Sequence, residues 1–402
     1  MRRRRRQLWR HPGLRRRRAC RVVSHSQTSR RGGMASASAC VPSRRGPDTT
    51  AIHGSEGGVP LMLTVQSFPT FERAYGAVLD QVVNRYWYRN APRGIESREV
   101  LNVGFQLNDP IQRVAWLGSR RTNVVFCFAE ALWFLWGRDD LAMMAYYAPR
   151  MRAYSRDQTT ITGASYGTRL FGDIDEDERS QFDRCLELIR GDPATKRSFM
   201  VIFRPWETTD PAHPDVSCAV GFQLLARDGL LNATCYMRAN DAMQGLVSDV
   251  FSFTLIQEFA ARLLGLDVGV YGHLVGSMHL GVKHLSRAQT VLDEIRQPDT
   301  VPRRFRFPAM PTDTGWDDVQ ALRGHEYALR TNEMRYPPWY IESLGFPWYW
   351  QQVLLLFECY RQIAHEPEQS LDPVTLAALD PGFAWLVRHR WPSRMPTTGG
   401  SA

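Results

Sequence analysis

The stretch Cys218-Ala-Val-Gly-Phe-Gln-Leu-Leu-Ala-Arg-Asp-Gly-Leu-Leu-Asn-Ala-Thr-Cys-Tyr-Met-Arg-Ala-Asn-Asp241 decides how this chain is read. Val220 to Leu225 and Leu230 to Met237 are short β-rich runs, and Arg227-Asp228-Gly229 between them supplies hairpin turn residues. Val250 to Leu264 follows with helical spacing of apolar residues, closed by Gly265 in the place of a helix C-cap. Working outward, Thr70 to Asn84 carries one apolar helical face, and Glu130 to Trp136 reads as the middle of a buried helix. Ser198 to Phe203 is another β-rich run, and Trp316 to Leu329 and Trp350 to Ala364 are further helices. No internal repeat is visible. The pattern predicts an α+β fold, with one main domain over 61–310 and a C-terminal helical extension over 311–402 packed on it.

Of the 402 residues, 44% are hydrophobic and 23% charged, the balance of a soluble globular protein. The longest apolar run, Val124 to Trp136, is broken by Glu130 and falls short of the roughly 20 residues a bilayer requires. No membrane association is expected. The formal charge of +9 sits at one end: residues 1–60 hold fifteen Arg, no Lys and two acids, a net of +13, so residues 61–402 sum to −4. A mildly acidic body argues against nucleic acid as its partner, although a nucleotide- or RNA-binding protein using the basic arm remains an alternative. Residues 1–60 lack periodic apolar spacing and are expected to be disordered. Either they form an arginine-rich arm or translation starts at Met34 or Met62. No apolar core follows the first arginines, which argues against secretion. Seven cysteines without regular spacing indicate neither a disulfide framework nor a metal site, and the expected compartment is the cytoplasm.

Cys218 follows the Pro211 to Ser217 loop and opens a strand, whereas Cys127, Cys185, Cys235 and Cys359 sit inside apolar periodic segments and read as core. A lone cysteine is more often packing than nucleophile, so its neighbours decide. Glu130-Ala-Leu-Trp-Phe-Leu-Trp-Gly137, Gly163-Ala-Ser-Tyr-Gly167, Lys196-Arg197, Cys218 with Gln223, Tyr236-Met-Arg-Ala-Asn-Asp241 with Gly245, and His273, Gly276, His279 and His284 follow in that order. In this order and spacing the chain resembles the thymidylate synthase superfamily, from roughly Pro60 to Phe307. The resemblance implies a mixed sheet with surrounding helices.

It also implies a chemistry. A pyrimidine C5 becomes nucleophilic only after a thiolate adds at C6, and Cys218 stands where the family has that thiolate. Arg238 would activate it and grip the nucleotide phosphate. Lys196 and Arg197 would complete the phosphate site from the other subunit of a homodimer, with Arg93 as a further phosphate ligand. Gln223, Ala239 and His279 fall at nucleotide-contacting positions. Asp241 stands where the family contacts the pterin of 5,10-methylenetetrahydrofolate, the one-carbon donor. Glu130 stands where waters and proton transfers are organised, and Tyr166 where the C5 proton is removed. No metal is implied.

Departures from the family pattern specify the substrate. The base-reading asparagine is Asp249 here, in Val247-Ser-Asp-Val-Phe-Ser252, and the histidine beside the nucleophile is Ala219. An aspartate accepts from the 4-amino group of cytosine and opposes O4 of uracil, a mismatch worth on the order of 1 to 3 kcal/mol. This resembles the cytidylate hydroxymethylases. Ala239 for a serine, Gly281 for a tyrosine and Lys196 for an arginine open the sugar site, pointing to CMP over dCMP, as in the CMP 5-hydroxymethylases of nucleoside-antibiotic pathways. After Phe307 the chain does not resemble the tail that closes over folate in the methylases, so hydration of the transferred carbon is expected. A dCMP hydroxymethylase or a thymidylate-synthase-type methylase is the alternative.

Overall fold

The computed structural model describes residues 64–297 and 305–396. The expectations for residues 1–60, a disordered arm or a later start, lie outside the described residues.

Seven strands form one mixed sheet: β1 (Gln66–Phe68), β2 (Tyr88–Asn90), β3 (Ser97–Leu107), β4 (Phe199–Val201), β5 (Ala219–Arg227), β6 (Leu230–Asp241) and β7 (Asp267–Gly281). Their order is β1-β3-β7-β6-β5-β4, with β2 on the far part of β3. The β5–β6 hairpin turns through Asp228 and Gly229, both at positive φ (51° and 76°), where glycine relieves strain and aspartate is tolerated. β6 and β7 pair in parallel, which requires the helical crossover that α5 (Gly245–Leu264) provides.

The inward alternation of β6 and β7 slips by one residue at a matched place. Residues 231, 233, 235 and 237 are buried up to Arg238, after which Asn240 is buried; in β7 residues 271, 273 and 275 give way after Gly276 to Met278. A side chain on Gly276 would meet the Arg238 carbonyl at 2.9 Å, so the two backbones can approach only because Gly276 has none. The slip exposes Arg238 and turns Asn240 inward.

Helices cover the sheet. These are α1 (Phe71–Asn84), α2 (Val124–Leu135), α3 (Leu141–Tyr147), α4 (Gln181–Gly191), α5, α6 (Leu285–Arg296) and then α7 (Trp316–Arg330), α8 (Pro338–Ser343), α9 (Trp348–His365), α10 (Pro373–Ala378) and α11 (Pro381–Arg390). All twelve residues of α2 are buried, as its nearly uniform apolarity demands. One side meets α5, and the other is covered by the C-terminal helices. Trp136 Nε1 donates to the Val319 carbonyl at 2.8 Å, and the Tyr360 hydroxyl donates to the Tyr146 carbonyl at 2.8 Å. Residues of α1, α2, α5, α7, α9 and α11 share one hydrophobic core. After the undescribed 298–304 the chain runs into that core: Phe307 packs against Phe128, Phe251 and Phe383, and its N–H donates to Gln112 Oε1. Among the described residues no helix is long and apolar enough to cross a membrane.

Candidate active site

Cys218 immediately precedes β5, half-buried, at the end of a loop held in several ways. Asp215 accepts from the backbone N–H groups of Gly163 (2.6 Å) and Ala164 (2.9 Å), tying this loop to the Gly163–Gly167 turn. Arg169 donates to Ser217 Oγ and to the Gly163 carbonyl, and pairs with Glu207 at 2.9 Å. Glu207 in turn accepts from the Ser217 N–H. The thiol is therefore placed by buried, mutually satisfied polar groups rather than by a free loop.

Arg238 reaches back across the hairpin. Its Nε donates to the Ser217 carbonyl at 2.7 Å and its Nη2 to the Val216 carbonyl at 2.9 Å, bringing Nη2 within 3.8 Å of Cys218 Sγ. Arg93, at positive φ on an exposed turn, joins this neighbourhood through a 3.5 Å contact to the Pro214 carbonyl. Burial nevertheless pushes the Cys218 thiol up to about 11; Arg238 and Arg93 pull it down, while Asp249 and Asp215 push the same way as burial. The sequence expectation that Arg238 activates the thiolate thus meets a stronger opposing effect, and the nucleotide-free thiol is protonated at neutral pH.

Two carboxyls face this corner from the opposed helices α2 and α5. Burial raises Glu130 to about 7, with the Ser248 and Ser252 hydroxyls and Arg150 opposing it. Burial, with the Glu130 charge adding, holds the Asp249 carboxyl well above the ordinary carboxylate range, and the Asn240 amide beside it works the other way. Both acids are less than a tenth exposed. Tyr166 stacks on Phe253 and leans on Phe134, and burial raises its hydroxyl, with Asp249 and Cys218 adding to the effect.

Asp241 Oδ1 accepts from the N–H groups of Met243 and Gln244, which fixes the turn into α5. Next to it lies a group that sequence reading missed: Arg120, Arg121, Arg150, Arg287 and Arg390, drawn from separate elements. Burial and mutual repulsion pull Arg287 and Arg390 below their ordinary values. Arg120 Nη2 donates to the Met243 carbonyl at 2.6 Å, while Nε of both Arg120 and Arg390 is buried without a partner among the described residues. Only the adjacent Arg120-Arg121 pair was a signal in the sequence. Tyr154 lies between the two halves of the site, its hydroxyl raised by burial and by Cys218, Asp215 and Asp241, and lowered by Arg150. Asp215 had no sequence signal.

Other expected residues lie elsewhere. Lys196 and Arg197 are exposed and line an open cleft of about 800 Å3 with Arg179 and Arg184, outside the thiol corner of the same protomer. The Gln223 side chain accepts from the Tyr236 hydroxyl and donates to the Lys196 carbonyl, which turns it away from the buried side occupied by Phe222 and Leu224. Ala239 and His279 are half-buried on the paired strands β6 and β7 close to Arg238. Among the described residues no group of three His, Cys, Asp or Glu side chains converges as metal ligands.

A protonatable thiol beside an arginine at the start of an inner strand of the mixed sheet, with two buried acids and a tyrosine facing it, can support covalent acid–base chemistry. The chain belongs to the thymidylate synthase family, whose family model matches residues 73–319. Among curated proteins it is similar to the deoxyuridylate hydroxymethyltransferase of Bacillus phage SP01, at 30% identity over 199 residues, covering 47% of this chain and 52% of the phage protein. A second relative is the deoxyuridylate hydroxymethyltransferase of Pseudomonas phage M6, at 29% over 194 residues, covering 48% and 54%. The chain spans about half the length of these relatives.

Proposed function

We propose that the protein transfers a one-carbon unit from 5,10-methylenetetrahydrofolate to C5 of CMP, giving, with one water, 5-hydroxymethyl-CMP and tetrahydrofolate. The observation that carries this is the convergence of Cys218, Arg238 and Asp249: a nucleophile, an anion grip and an acid in place of an amide. Arg238 and Arg93 bind the phosphate. Cys218 loses its proton to solvent and forms its bond to C6 as the Asp249 proton passes to N3; C5 then bonds the donated carbon as the folate nitrogen leaves, and the C5 proton departs to water near Tyr166. Glu130, raised to about 7, exchanges protons at working pH on the folate side.

The folate supplies a carbon at the oxidation level of formaldehyde. The arginines beside Asp241 fit such a ligand: Arg120 is buried, Arg287 and Arg390 are half-buried, Arg121 and Arg150 are exposed, and the repulsion among them is relieved by carboxylates. Lys196 and Arg197 serve the phosphate of the partner subunit in a homodimer. The exposed apolar side chains of β4 and β5, Phe199, Val201 and Val220, support burial of that sheet face between subunits.

Hydroxymethylation, rather than methylation, agrees with the names of both phage relatives and with Phe307 and its successors being committed to the core. Those names specify a uracil deoxynucleotide, so a dUMP-specific hydroxymethylase is the competing reading. Replacing Asp249 by Asn is the test: the variant should shift product formation from CMP toward UMP, and an unchanged base preference would overturn the assignment of Asp249.

A further inference from the structure

Hydration of the transferred carbon requires a group that takes a proton from water at that carbon. The acids already placed are occupied. The Asp249 proton serves N3, Glu130 exchanges protons on the folate side, and Asp241 Oδ1 is bound by the Met243 and Gln244 N–H groups.

Asp215 is a further carboxyl at this corner, 6% exposed. Its Oδ2 accepts both bonds from the Gly163–Gly167 turn, at 2.6 Å from the Gly163 N–H and 2.9 Å from the Ala164 N–H, while Oδ1 has no hydrogen-bond donor among the described residues. The carboxyl lies this close to the turn because Gly163 has no side chain: a carbon there would meet Oδ1 at 2.7 Å. One oxygen is thus committed to position and the other is left to bind. The chain between Asp215 and Cys218 is fixed as well, since Arg238 holds the Val216 and Ser217 carbonyls. Three peptide units put the two Cα atoms at most about 11 Å apart, a gap that a thioether, a pyrimidine C6–C5 edge, one carbon and a water can fill.

The surroundings of Asp215 are those of the reacting atoms. Beyond the effect of burial, its charge adds to the upward push on the Cys218 thiol and on the Tyr166 and Tyr154 hydroxyls. Tyr154 also senses Asp241 and Arg150, so Asp215 stands where the nucleotide side meets the folate side. Burial pushes the Asp215 carboxyl up, which makes it a stronger base than an exposed carboxylate, and the Ala164 and Gly163 N–H groups, His213 and Arg169 hold it down.

We propose that Asp215 is the catalytic base of hydration: its Oδ1 binds the water that adds to the exocyclic carbon and takes a proton from it. This rests on hydroxymethylation as the reaction. As the water oxygen bonds to the exocyclic carbon, Oδ1 accepts one proton; the electron pair of the carbon–C5 double bond passes into the ring, and C5=C6 forms as the C6–S bond breaks. Cys218 leaves with the pair of that bond as a thiolate that takes a proton from solvent. The N3 proton returns to Asp249, and Asp215 gives its own to solvent.

The test follows one turnover of CMP with methylenetetrahydrofolate, by intact-protein and product mass, in the wild type and in Asp215→Asn, which keeps an oxygen for the two N–H groups. The variant should release tetrahydrofolate and load Cys218 with the nucleotide and its new carbon as the wild type does. It should then form 5-hydroxymethyl-CMP at least about a hundredfold more slowly, and added 2-mercaptoethanol should divert the loaded species to a 5-thioether. A merely structural Asp215 would lower loading and product together. That result, or hydroxymethyl formation at the wild-type rate, overturns the role of Asp215 and leaves the hydroxymethylation reading standing. A wild type that makes a methyl product removes that reading and the proposal with it. If the variant does not fold, a crystal structure of the wild type with 5-hydroxymethyl-CMP decides: the product hydroxyl is expected within about 3.2 Å of Oδ1, and a hydroxyl bound elsewhere overturns the proposal.

Discussion

Replacing Glu130 by Gln should stabilise the protein in a way that depends on pH. Glu130 titrates at about 7 in the folded chain against an ordinary 4.5, because its burial disfavours the charged form. The folded state keeps this proton after the unfolded chain has lost it, so stability falls as pH rises from about 4.5 to about 7 and is level above that. At about 1.4 kcal/mol per pH unit the full loss is about 3 kcal/mol, present at pH 8 and reduced below about 1 kcal/mol at pH 5. Glutamine keeps the shape and a carbonyl for the Ser248 and Ser252 hydroxyls but cannot ionise. Urea unfolding of both proteins at pH 5 and pH 8 should therefore show the variant gaining about 2 to 3 kcal/mol on the wild type between the two pH values, while its turnover collapses. A stability difference that is the same at both pH values would refute a raised, buried Glu130 and with it the proton-transfer role.

With Cys218 at about 11, roughly a thousandth of the thiol is ionised at pH 8, so alkylation by iodoacetamide should be slow and rise about tenfold per pH unit from 7 to 9; a rate already level at pH 8 would contradict this. Gly245→Ala places a methyl 2.8 Å from Asn240 Oδ1 and should cost about 1 to 3 kcal/mol in thermal or urea unfolding and abolish product, whereas wild-type stability would show that α5 can shift. Arg390→Ala should raise KM for methylenetetrahydrofolate about tenfold with little change in KM for the nucleotide; equal effects on both would remove Arg390 from the folate side.

The hairpin and the body of α5 were legible because turn residues and the helical period are local signals. The start of α5 was not: Gly245 and the buried polar pair Ser248 and Asp249 interrupt the apolar pattern, so the periodicity begins at Val250 although the helix begins five residues earlier. β7 was hidden by Gly269, Gly272 and Gly276, which weaken any strand signal, and its partner β6 is reached only through the crossover. Motif residues near the thiol were readable in order along the chain. The arginine group was not, since α6 and α11 bring Arg287 and Arg390 to Arg120 only in the folded chain. Asn240 looked like an arbitrary residue between Ala239 and Asp241, because only the matched slip of β6 and β7 turns it inward.

The most direct measurement is a mass-resolved product assay with methylenetetrahydrofolate and, in parallel, CMP, dCMP, UMP and dUMP. CMP should gain one hydroxymethyl group with the highest kcat/KM, and Cys218→Ala should yield nothing. Product formed from dUMP alone, or a methyl group in place of a hydroxymethyl, would contradict the account.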